Sequence, residues 1–165
     1  MSGARRLLLI GGIALALWGM SYGLWYALFA EHRALDGIGA SLTAGFVGAA
    51  ERNPASAASA LSQYREAKYI YDRQVDVHSH WIGLAMVLIV LGMGFDRVGL
   101  SKRLRFILAM ALFLGATLFP LGVLLQTLSH GPAPRAIAIA GSALVIASLT
   151  GCSIGFARNQ APFDE

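Results

Sequence analysis

Four stretches of this chain run apolar and without charge: Leu7 to Ala30, Val77 to Phe95, Phe106 to Leu128 and Ala136 to Ala157. About 20 mostly apolar residues cross a hydrocarbon core. Each stretch is too long for a strand in a soluble core, and none shows a polar face. Lipid offers backbone groups no hydrogen-bond partners, so such spans must be helices. The pattern predicts an all-α fold: an integral membrane four-helix bundle, one membrane domain over residues 1–165. Its spans are expected near 7–30, 77–95, 106–128 and 136–157, with an extramembrane helical segment at 31–76.

That segment has a pattern of its own. Leu35, Ile38, Leu42 and Phe46 recur at helical spacing and predict a short amphipathic helix. Asn53-Pro54 reads as a stop and restart, because Asn caps a helix and Pro suits its first position. From Ala55 no Gly or Pro occurs until Gly83, and Leu61, Tyr64, Lys68, Tyr71 and Val75 form one stripe. One helix should rise from the second span about 30 Å beyond the membrane. The short helix should fold back on it as a hairpin. Gly19-Met-Ser-Tyr-Gly23 and Gly151-Cys-Ser-Ile-Gly155 are small-residue ridges that let helices approach closely, within one chain or between subunits. Pro120 is expected to kink the third span.

Composition supports the membrane reading and narrows it. Apolar residues make up 56%, charged residues 13%, and the mean hydropathy is +0.61. A soluble domain carries about 25% charge. The net charge of +4 forms no basic stripe, so nucleic acid is not the partner. Disorder is excluded by the same composition. Cys152 stands alone, so a disulfide framework is excluded too. Arg5 and Arg6 precede an apolar run, as in a secretory leader, but the run is too long and passes Trp18, Tyr22, Trp25 and Tyr26. A retained span is expected.

The charge has an address. Arg5, Arg6, Arg97, Lys102, Arg103, Arg105 and Arg158 share one side with Asp96, Asp164 and Glu165. The other side balances six basic against six acidic residues: Arg33, Arg52, Arg65, Lys68, Arg73 and Arg135 against Glu31, Asp36, Glu51, Glu66, Asp72 and Asp76. Basic residues mark the cytoplasmic side. A bacterial inner-membrane protein is expected, multi-pass, with cytoplasmic N- and C-termini and residues 31–76 periplasmic.

Candidate chemistry lies with the histidines. His32, His78, His80 and His130 all fall at the expected periplasmic boundary, where the helix ends of a compact bundle can share a site. His32 and His130 also suit a helix C-terminus, where a cation meets the dipole. Asp76-Val-His78-Ser-His80-Trp81 carries the sharper signal. An extended backbone would put Asp76, His78 and His80 on one face as a metal half-site. A helix would set the two histidines about 200° apart, with Asp76 on the face of His80, where it can orient that ring or pair with Arg73. Haem b needs an axial His and usually a second His or Met. Copper or zinc needs three or four ligands, available among His32, Asp76, His78, His80 and His130. Met20 and Met86 read as core, the aromatic residues of span one with Trp81 as an interfacial belt, and Gln126 and Thr127 as cross-helix hydrogen-bonders. Glu31-His32 offers a weak proton-handling pair. No phosphate loop, dinucleotide fingerprint or nucleophile elbow occurs.

Asp76 through Gly83, followed by apolar helix, resembles the His-x-His helix openings of bacterial membrane proteins distantly similar to subunit I of haem-copper oxidases. The resemblance covers under ten residues. It implies a haem-ligand role for His78 or His80 only, since an oxidase core has many more spans and inner histidines. The leading expectation is haem b or a transition metal such as copper at the periplasmic face, in electron transfer or cofactor handling, with a periplasmic redox partner. The alternative is a non-catalytic accessory or scaffold subunit docked to other membrane subunits. In either case the lipid bilayer is a partner.

Overall fold

The computed structural model describes residues 1–158; Asp164 and Glu165, counted in the charge balance, lie outside them. The helices are α1 (Gly3–Trp25), α2 (Glu31–Ala50), α3 (Pro54–Gly94), α4 (Lys102–Leu125) and α5 (Pro132–Arg158). α1 and α2 join into one rod, giving four rods long and apolar enough to cross a membrane. The protein is therefore an all-α, multi-pass membrane bundle. The first rod runs Gly3–Ala50, so the expected short helix is a continuation of span one. Neither Pro nor Gly interrupts the chain between Trp25 and Asp36 to stop it.

A π-helical turn, Tyr26–Ala30, joins α1 to α2. Such a turn adds one residue to the helix and rotates the helix beyond it. Its effect shows in the faces turned inward. Leu8, Leu15 and Gly19 are buried before it, Tyr26 at its start, and Ser41 and Gly48 after it. The extra residue keeps one face of a 48-residue rod directed at α3.

α3 is 41 residues long, about 60 Å of helix. One seam along it runs Ala57, Ala60, Tyr64, Ala67, Tyr71, Gln74, His78, Trp81, Ala85, Leu88 and Gly92, with the fully buried Val77 beside it. The seam positions alternate steps of three and four, the 3.5-residue period of two helices wound around each other. This seam shares Tyr64 and Tyr71 with the expected stripe but leaves Leu61 and Val75 exposed. Alanine rather than large side chains lines its outer half, so α2 comes close. A methyl group on Gly48 would lie 2.8 Å from the Ala57 nitrogen.

The hairpin turns at Glu51–Asn53. The Asn53 amide donates to the Gly48 carbonyl at 2.8 Å and the Arg52 amide to the Ala49 carbonyl at 3.1 Å. This pattern closes a helix through a left-handed residue, and Arg52 takes that role with φ 51°. Asn53 caps α3, its side chain accepting from the Ser56 amide at 3.1 Å, and Pro54 opens the helix.

α4 runs through the fully buried Pro120 without interruption and pairs with α5 backbone to backbone. A methyl group on Gly115 would lie 2.7 Å from the Gly141 carbonyl, and one on Gly141 would overlap the Phe119 backbone. Gly151 and Gly155 meet Leu108, Val98 and Leu100 of the same chain, so that ridge joins helices within the molecule. The other ridge does likewise: Gly19 receives Trp81 and Gly23 receives His78. α4 also packs on α3 and α1, whereas α5 is held mainly by α4.

Candidate functional site at the hairpin-side membrane boundary

α3 is helical from residue 76 through 80, so of the two backbones considered for Asp76, His78 and His80 the helix is the one observed. The two histidines leave α3 in different directions. His78 turns to α1, where its Nδ1 donates to the Gly19 carbonyl at 2.9 Å and its ring fills the notch at Gly23. His80 turns to α4. Its Nδ1 donates to the Asp76 carbonyl at 2.6 Å, and its ring meets Phe119 edge-on, centroids 4.7 Å apart. A carbonyl oxygen only accepts, so the neutral form of each ring carries its hydrogen on Nδ1 and a lone pair on Nε2. The Asp76 carboxylate pairs with Arg73 at 3.4 Å, whereas His80 is held by the Asp76 backbone carbonyl and not by its side chain.

The other two histidines lie apart from these. His32 is on α2, its side chain 87% exposed, with Nε2 3.3 Å from Asp36. His130, in the α4–α5 loop, reaches the N-terminal half of α3. Its Nε2 lies 3.4 Å from Glu66 and its ring lies 5.1 Å from that of Tyr69. The Tyr69 hydroxyl donates to Gln126 at 3.4 Å, and the Arg73 guanidinium sits 5.2 Å from the Tyr69 ring centroid. Gln126 thus bonds across helices, whereas Thr127 bonds back to Leu124. Among the described residues no three His, Cys, Asp or Glu side chains come together as a metal-ligand group. On the exposed flank of α3 the Asp72 carboxylate accepts from Lys68 at 2.6 and 2.8 Å and raises the Lys68 pKa above its ordinary value.

Two groups of residues escaped the sequence pattern. Glu66 and Tyr69 anchor the α4–α5 loop, a contact across 64 residues for which no local spacing is a signal. The expected aromatic belt divides. Trp18 and Trp25 face outward, while Trp81 is 3% exposed and packs edge-on to Trp18 and Tyr22 at 6.0 and 5.4 Å. The inward 3.5-residue period of α3 was the signal for Trp81. Met20 and Met86 are both exposed on the surface of the bundle instead of lying in the core.

Compared with known protein families, with curated proteins and with solved structures, the chain matches none.

Proposed function

We propose that this chain is a non-catalytic accessory or scaffold subunit of a larger membrane complex. It sits in a bacterial inner membrane with both termini cytoplasmic and the α2–α3 hairpin periplasmic. One observation carries the reading: the large apolar side chains of α2 stay exposed beside α3 instead of being buried against it. Leu42, Phe46 and Val47, with Leu61 of α3, are exposed near the hairpin tip. A groove of about 260 Å³ runs between Leu42, Phe46, Leu61 and Tyr64. No charged residue occurs from Gly37 to Ala50 or from Pro54 to Tyr64. α2 carries this surface about 20 Å beyond the end of span one. An apolar face held that far from lipid suits a protein partner. The histidines fit the same reading, since His78 and His80 serve helix packing while His32 and His130 meet carboxylates.

Isolation in mild detergent tests this. Wild-type protein is expected to bring down a stoichiometric membrane partner, and Phe46→Glu to lose it while keeping its helical content. A monodisperse, partnerless wild type overturns the proposal. For the orientation, Thr43→Cys in intact cells should react with a membrane-impermeant maleimide, while the buried Cys152 stays unlabelled. Labelling of residue 43 only after lysis overturns the periplasmic assignment.

A second reading is favoured by the two imidazole hydrogen bonds. A histidine that ligates iron or copper donates its other N–H to a carbonyl or carboxylate. His78 and His80 both do so, leaving Nε2 as the donor atom. His80, clear of the Gly23 notch, is the better axial ligand for haem b, and a bound haem would supply one-electron transfer to a periplasmic redox partner. Copper would need further ligands from outside this pair. An absorption spectrum and metal analysis, after expression with haem and copper supplied, decide it. Colour lost in His80→Ala with the fold retained supports the reading; a colourless, metal-free wild type removes it.

A further inference from the structure

Opposite the hairpin, at the membrane face that holds the start of α1 and the α3–α4 loop, a groove opens along the seam between α1 and α4. Three cavities adjoin one another there. The first, about 350 Å³, lies between Ser2 and Gly3 of α1 and Lys102 and Arg105 of α4. The second, about 440 Å³, shares Gly3 with it and continues past Arg6, Ile10 and Ala14. The third, about 350 Å³, shares Ala14 and Phe113 with the second and ends under Trp18 and Leu121. The seam stays open because α1 packs chiefly on α3, and α4 chiefly on α5. Phe113 crosses it above Gly11, where a methyl group would lie 2.7 Å from the ring.

The two ends of this groove differ in chemistry. The deep end is almost wholly apolar. The shallow end carries Arg6, Lys102 and Arg105, and among the described residues no carboxylate oxygen lies within 4.0 Å of their nitrogens. Asp96 lies beside them, its carboxylate bonded to Arg5 at 3.4 Å and to Ser2, while Arg105 meets its backbone carbonyl at 2.9 Å. α1 and α4 both start here, capped by Ser2 and Ser101, and neither has an acidic residue in its first turn. The Asp96 carboxylate sits on the α1 cap, so it is the α4 dipole that adds positive potential at this level. From Gly3 to Trp18 the rise is about 22 Å, which reaches past the middle of a hydrocarbon core about 30 Å thick.

A cationic mouth at headgroup level, continuous with an apolar channel along the depth of one leaflet, has the shape and charge of one class of molecule. The geometry points to a specific binding site for an anionic phospholipid of that leaflet, its phosphate held by Arg6, Lys102 and Arg105 and one acyl chain laid in the α1–α4 seam. Basic pockets between spans take anionic headgroups in this way. Charge complementarity selects this occupant over a zwitterionic lipid, and the length of the groove selects a chain-bearing lipid over free phosphate.

The test uses the full chain, delipidated in detergent and titrated with phosphatidylglycerol or with phosphatidylcholine of the same acyl chains, the adducts counted by native mass spectrometry. Phosphatidylglycerol should bind one per chain, about tenfold or more tighter than phosphatidylcholine, and inorganic phosphate should not compete. Lys102→Gln with Arg105→Gln should cost about fivefold per charge removed and erase the preference between lipids. Ala14→Phe, which fills the junction of the second and third cavities, should weaken both lipids alike. Lys102→Gln by itself alters an exposed side chain with no protein partner among the described residues, so it remains informative if the other variants fail to fold. Equal retention of the two lipids by wild type, or a preference that survives the glutamine substitutions, overturns the proposal. Displacement by inorganic phosphate also overturns it, because the site would then be for the free anion.

Discussion

Arg52 holds the sharpest backbone constraint in the hairpin. Its left-handed φ of 51° is a conformation glycine adopts freely, and other residues at a cost of roughly 1–2 kcal/mol. Arg52→Gly is expected to match or exceed wild type in thermal stability, and Arg52→Val to lose about 1–2 kcal/mol, read by melting in detergent. Gly23 makes a comparable point about side chains. A methyl group there would overlap the His78 ring, so Gly23→Ala should destabilise by about 1–3 kcal/mol. In a His78→Ala background the same change should cost little, and a double-mutant cycle measures that coupling. Full additivity would show that His78 is not the residue fitted to this notch. The sequence marked both residues, Gly23 as half of a small-residue pair and His78 as a candidate ligand. It did not show that each explains the other, because they stand 55 positions apart and meet only when α1 lies against α3.

The π-helical turn decides how the first rod meets the second. Removing Ala27 should return the rod to regular helix and rotate α2 about 100° relative to α1. A disulfide reports the result. A β-carbon on Gly45 would lie 3.9 Å from that of Ala60, close to the spacing a disulfide spans. Gly45→Cys with Ala60→Cys should cross-link readily in the parent chain and poorly once Ala27 is deleted. Equal cross-linking would mean the turn does not set the register. The α4–α5 pair rests on a stricter contact. Gly141 faces the Phe119 backbone, which cannot rotate aside as a side chain can. Gly141→Leu should therefore cost about 3 kcal/mol and loosen α5 first, seen as new thiol reactivity of the buried Cys152. Unchanged reactivity would count against α5 being held chiefly by this pairing.

Across the whole molecule, order should track the number of helices packed at each level. Three or four helices shield one another along the spans, whereas the hairpin tip is two helices only. Amide hydrogen exchange should be slowest at Leu8, Leu88 and Leu112, all fully buried, and faster by orders of magnitude from Gly37 to Leu61. Comparable protection in the isolated chain would mean that the tip is already covered, by a second copy or a retained partner. The two membrane faces also divide the proposed roles. The hairpin face offers an apolar surface to protein, and the opposite face a cationic groove to lipid.

The sequence alone determined the four long apolar helices and the helical hairpin with its turn at Asn53-Pro54. These depend on hydropathy and local capping, which act over a few residues or over one helix length. It could also narrow the backbone at Asp76–His80 to two choices, each with its own consequence for the histidines. Only the tertiary structure decided between them, and only it separated the four histidines among α1, α2, α3 and α4. The same holds for the exposure of Leu42 and Phe46 and for the open seam beside Arg6, Lys102 and Arg105. Each depends on which helix faces which. In lipid that choice rests on close fit between small and large side chains, since hydrophobicity there is nearly the same on every face.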